Sequence, residues 1–156
     1  MTPEELMQAA IDACRRGLAA GQSPFGCAIL LDDELIAASH NTVALTTDIT
    51  AHAEVNALRE ACSNRGQILL DGAIVATTCE PCPMCMAALH WARVQTVYYG
   101  ASIADAEHAG FNELTLPASE LLRIGGSEVE LIGETLRQPC RELFAQWLNN
   151  PKRVVY

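Results

Sequence analysis

The sequence predicts an α/β domain, and three observations predict it. Apolar residues recur at helical spacing near both ends of the chain, short apolar runs of strand length lie between them, and strand, helix and strand patterns alternate over residues 73–99. A parallel strand pair joined by a right-handed crossover is the expected unit there. At 156 residues the chain fits one domain, 1–156, with a real core and no internal repeat or interdomain linker.

Thr2-Pro3-Glu4-Glu5 opens the first helix, with Thr2 as N-cap, Pro3 at the first helical position and Glu5 placed for a capping box. Leu6, Ala10, Ala13, Gly17 and Leu18 follow at helical spacing. Ser23-Pro24-Phe25-Gly26 turns the chain into a strand over Cys27 to Leu31, Asp32-Asp33-Glu34 makes a polar tip, and Leu35 to Thr42 returns as the second strand of a hairpin. Thr50 is the expected N-cap of a helix over Ala51 to Asn64 that ends at Gly66, which places His52 and Glu54 in its first turn. Ala73 to Thr78, Cys82 to Ala92 and Val94 to Tyr99 are the alternating strand, helix and strand. Past Gly100 the pattern supports a short helix over Pro117 to Leu122, a short strand over Val129 to Ile132 and a helix over Glu134 to Leu148.

No apolar run reaches the roughly 20 residues needed to span a bilayer. The N-terminus is acidic and lacks the basic-then-apolar order of a secretory signal, so a soluble, cytoplasmic protein is expected. Ten Lys and Arg against 19 Asp and Glu give a formal charge of −9, and the basic residues never cluster beyond pairs. A nucleic-acid partner is therefore disfavoured. Seven cysteines, three of them within Cys79 to Cys85, suit metal chemistry better than a disulfide framework. Cys14, Cys27, Cys62 and Cys140 stand alone and are expected to be small buried hydrophobes.

The chemistry concentrates in two places. Cys82 and Cys85 have C-x-x-C spacing, and His52 and Glu54 stand two apart about thirty residues upstream. One His and two Cys make three zinc ligands with the fourth tetrahedral position open for water, the arrangement of a catalytic site. Both groups fall at helix starts, where free N–H groups and the macrodipole should lower the cysteine pKa values and favour thiolate. Glu54 is then available to move protons. Cys79 is also three residues from Cys82, and a closed Cys79-Cys82-Cys85-His52 structural site, in a non-catalytic zinc scaffold, is the competing reading; it leaves Glu54 without a role.

His52-Ala53-Glu54 with Pro81-Cys82-Pro83-Met84-Cys85 resembles the H-x-E and P-C-x-x-C signature of the zinc-dependent cytidine and deoxycytidylate deaminase superfamily. Cys79-Glu80-Pro81 and His90-Trp91-Ala92-Arg93 make the chain most similar to bacterial guanine deaminases. The resemblance implies a three-layer α/β/α fold around a five-stranded mixed sheet, one zinc per subunit held by His52, Cys82 and Cys85, Glu54 as proton shuttle, and a homodimer. It also implies hydrolytic deamination of a small-molecule base, guanine to xanthine and ammonia. Asn41 matches the residue that holds the base edge, with an amide able to donate and accept. Phe25 and Trp91 match pocket-lining aromatics, each equally readable as core. Glu113 in Gly110-Phe111-Asn112-Glu113 stands where guanine deaminases carry an acidic residue, although Asn112 departs from their pattern. Tyr156 ends a tail, about residues 150–156, that in such enzymes can cross to a neighbouring subunit and cap the pocket. A tRNA adenosine deaminase shares the zinc motif, and deamination of cytosine, a guanine nucleoside or an aminotriazine shares the chemistry; these remain the alternatives.

Overall fold

A computed structural model describes residues 1–156. The chain runs α1 (Pro3–Ala19), β1 (Gly26–Leu31), β2 (Glu34–His40), α2 (Val43–Thr46), α3 (Ala53–Arg65), β3 (Ile74–Cys79), α4 (Pro83–Trp91), β4 (Thr96–Ala101), α5 (Ile103–His108), α6 (Ala118–Gly125), β5 (Glu130–Ile132) and α7 (Arg137–Leu148). The strands form one mixed sheet in the order β2-β1-β3-β4-β5. β1 is antiparallel to both β2 and β3, whereas β3, β4 and β5 run parallel. The α4 crossover between β3 and β4 is the strand-helix-strand unit that the sequence predicts.

Helices cover both faces. On one, α3, α4 and α6 close over Cys27, Ile29, Val75 and Val97; on the other, α1 and α7 close over Ala28, Leu30 and Ala76. Alternate residues of β1 therefore feed two different cores, and all six of its residues are buried. That is why Gly26 to Leu31 reads as a continuous apolar run rather than an alternating one. Gly26 is required by packing: a Cβ there would stand 2.1 Å from the Ala10 carbonyl oxygen of α1.

Several boundaries differ from expectation for local reasons. The α1 capping box forms as the sequence implies, with Thr2 Oγ1 accepting from Glu5 N and Glu5 Oε2 from Thr2 N. Thr50, by contrast, does not cap α3: its hydroxyl donates to Asp48 Oδ1 at 2.6 Å, and His52 takes the N-cap position without a side-chain cap bond. β2 stops at His40, two residues early, because Asn41 Oδ1 turns back to accept from Val43 N at 3.1 Å and starts α2. α7 begins at Arg137 instead of Glu134, since Glu134 and Leu136 have φ of 65° and 48°, outside the right-handed helical region. α2 and α5 were not expected, yet Ser102 and Asp105 form a capping box at the start of α5 that the sequence does contain. Cys14, Cys27 and Cys140 are buried as expected; Cys62 is only half-buried. No helix is long and apolar enough to cross a membrane.

Candidate active site

The two ligand groups meet where α3 and α4 begin. His52 is the N-cap of α3 and Cys82 the N-cap of α4, both with extended backbone and neither side chain spent on its own helix; Cys85 lies one turn on. The imidazole Nδ1 stands 3.7 Å from Cys82 Sγ and 3.5 Å from Cys85 Sγ. For tetrahedral zinc, with bonds near 2.3 Å to sulfur and 2.0–2.1 Å to nitrogen, the sulfur–nitrogen separation is about 3.6 Å. The donor set therefore fits zinc, and these three are the residues whose ligand atoms converge within 4.8 Å. Cys79 does not join them: its thiol donates to the Ser102 carbonyl at 3.5 Å, so a closed four-ligand site is not assembled.

The two ligand cysteines shift in opposite directions because they share a hydrogen bond. Cys82 is pulled down to about 4, chiefly by a hydrogen bond from the Cys85 thiol and then by His52. Cys85, the donor in that bond and deeply buried, is pushed well above its usual value. Two adjacent negative charges in a desolvated pocket repel, and a shared proton relieves them while no metal is bound.

Glu54, 6% exposed, sits in the first turn of α3 beside this group. Thr77, facing it from β3, donates its hydroxyl to Oε1 at 3.1 Å. Burial and the negative charge of Cys82 raise its pKa above the usual carboxylate range. A cavity of about 320 Å³ opens over His52, Glu54 and Cys82 and is walled by Phe25, Phe111, Glu113 and Tyr156. That volume lies at the low end of small-molecule sites and suits one heterocycle. Glu113 is pushed up to about 7, first by desolvation and then by Cys82.

The remaining sequence-predicted residues divide. Phe25 lines the cavity while packing edge-on against Phe111 and Phe144 at 4.9 and 5.7 Å. Asn41 is fully buried behind Tyr156: its Nδ2 donates to the tyrosine hydroxyl, and its Oδ1 is already committed to Val43 N. Each end of the amide thus has one partner in the chain, leaving one N–H and one oxygen lone pair. The Tyr156 carbonyl accepts from Asn112 N at 3.1 Å, so the tail rests on the pocket of its own chain. Trp91 departs from expectation. It is 79% exposed and walls a separate groove between α3 and α4, because Met86 and Leu89 occupy the core-facing side of that helix.

Two supporting residues escaped sequence reasoning. Thr77 carried a signal, since a hydroxyl within an apolar strand of the sheet interior must find a partner. Asn56 did not: its Nδ2 reaches the carbonyls of His40 and Ala51 and the Thr42 hydroxyl, tying the loop that bears Asn41 to α3.

Known proteins share this arrangement. Residues 1–101 match the family described as the cytidine and deoxycytidylate deaminase zinc-binding region. Guanine deaminase of Bacillus subtilis is 42% identical over 127 residues, covering 77% of this chain and 81% of that protein. A tRNA-specific adenosine deaminase of Agrobacterium fabrum is 41% identical over 95 residues, 61% of this chain and 62% of that protein. The structure of guanine deaminase from Nitrosomonas europaea superposes with a TM-score of 0.87 at 27% identity, covering 96% of this chain and 86% of that one. The three-layer fold and the His-Cys-Cys donor set thus have the setting that this match requires, and the chain belongs to the cytidine and deoxycytidylate deaminases, zinc-binding hydrolases of carbon–nitrogen bonds.

Proposed function

We propose that the protein deaminates free guanine, releasing xanthine and ammonia. One observation carries the substrate class: Glu54, Glu80 and Glu113 line the cavity, and no Lys or Arg does. A phosphate-bearing substrate would find no Lys or Arg to pair with there. Guanine instead offers a ring N–H and an exocyclic amino group side by side, two donors that one carboxylate can accept together. Glu113 is the group in reach of that role. The guanine deaminases of Bacillus subtilis and Nitrosomonas europaea support the same base.

When bound at His52, Cys82 and Cys85, zinc brings the pKa of its water from 15.7 towards about 7, making hydroxide available at neutral pH. Glu54 handles the protons. It would take one from the attacking water and deliver it to the ring nitrogen beside the amino-bearing carbon, then carry that water's second proton to the departing amine, so that guanine and water become xanthine and ammonia. A raised carboxylate pKa suits a group that must hold a proton between these deliveries. The Thr77 hydroxyl keeps Oε1 aimed at the site. Asn41 donates from Nδ2 to the base edge, Phe25 stacks on the ring, and Tyr156 closes the mouth.

The partner is a second copy of the chain. Ile68 and Trp91, each 79% exposed on the apolar groove between α3 and α4, support a homodimer through that face.

Ammonia release from guanine, guanosine, cytosine, adenine, an aminotriazine and an anticodon stem-loop decides the substrate. Guanine is expected to give the highest kcat/KM; no turnover of guanine removes the reading, and turnover confined to the stem-loop would move the protein to the tRNA branch.

A further inference from the structure

One carboxylate of the cavity has no part in the scheme above. Glu80 lies two residues before the ligand Cys82, yet both of its oxygens are turned to backbone N–H groups: Oε2 accepts from Ile103 N at 3.2 Å and Oε1 from Ala118 N at 2.9 Å. Ile103 is the first residue of α5 and Ala118 the first of α6, positions whose N–H groups have no partner within their own helix. Between them runs the side of the cavity that carries Phe111, Asn112, Glu113 and Leu114. The residues just before that segment are held from the same place, with Glu80 N donating to Ala101 O at 2.8 Å and the Cys79 thiol to Ser102 O at 3.5 Å.

We infer that Glu80 is a positioning residue: by holding both ends of residues 103–118 from the loop that leads into the metal ligands, it sets where the Glu113 carboxylate stands relative to the metal. The inference rests on the proposed guanine deamination. Two acceptor oxygens are needed for two donors, which a carboxylate has and an amide, with one oxygen, lacks. Its negative charge also matches the positive ends of both helices. Glu80 acts through Glu113 and does not need to touch the base, because both of its oxygens are turned to backbone donors of this wall.

The test compares zinc-loaded wild type with Glu80→Gln, Glu80→Ala, Glu113→Ala and the Glu80→Ala/Glu113→Ala pair. Glu80→Ala is expected to raise KM for guanine about tenfold or more with a smaller change in kcat and unchanged zinc content, and Glu80→Gln to fall between it and wild type. The double variant should lose no more than Glu113→Ala alone, since coupled groups are not additive. Losses that add, an unchanged KM, or zinc lost in step with KM overturn the inference. Amide hydrogen exchange gives a readout independent of substrate. Protection should fall at Ile103 and Ala118, and at Asn112, whose amide reports the wall through its bond to Tyr156; unchanged Asn112 protection in Glu80→Gln also overturns it. If wild type fails on guanine, the function is what fails, and the exchange data still decide whether Glu80 holds the wall. Should Glu80→Ala not fold, Glu80→Gln carries both arms.

Discussion

Glu54 lies two residues from one metal ligand and is buried beside both others, so its effect on turnover separates from its effect on metal binding. Glu54→Gln keeps the shape and the Thr77 bond but cannot move a proton. Zinc content by atomic emission should be unchanged while kcat falls by about 10²–10⁴; an active variant would remove Glu54 from the mechanism. The ligands and Glu54 were legible because their spacings are local: H-x-E and C-x-x-C each fit within one helical turn. Thr77 and the divided amide of Asn41 were not, since their partners stand 23 and 115 residues away. Trp91 was misplaced for another reason. α4 carries Met84, Cys85, Met86, Ala87, Ala88 and Leu89 in succession, so apolar periodicity does not say which side faces the core.

At the level of elements, α3 and α4 aim their N-termini at one point and surrender their caps to do so. A helix start without a side-chain cap forgoes about 0.5–2 kcal/mol, and both helices forgo it at His52 and Cys82 because those side chains turn to the metal site. This explains why Thr50, the best capping residue nearby, caps nothing. The strands were recoverable to within about two residues from apolar runs, whereas α7 began late because two left-handed residues precede it, a conformation that Glu134 and Leu136 do not announce. The C-terminal tail contributes to the cavity through Tyr156 and the Asn112 contact. Deleting Val154 to Tyr156 should therefore raise KM and lower kcat/KM about tenfold, the size of two lost hydrogen bonds, with zinc retained; unchanged kinetics would show the tail to be dispensable.

For the whole molecule, a charge of −9 and a cavity lined by no Lys or Arg are consistent with the proposed guanine substrate. The exposed groove at Ile68 and Trp91 is the face proposed for the homodimer. Trp91→Glu should shift wild-type dimers to monomers in sedimentation equilibrium, because a charge at the centre of an apolar interface must be desolvated; an unchanged dimer places the interface elsewhere. The position of the ligands also bears on folding. His52 stands 30 residues before Cys82 and 33 before Cys85, on a different helix, with β3 threaded between them. Zinc held there is a cross-link that closes this loop in the native state and has no ready-made site in the unfolded chain, so part of its binding free energy is folding free energy. The melting temperature should accordingly rise with free zinc and drop on adding a chelator. The same ion that activates water would thus fasten the two helices over the sheet.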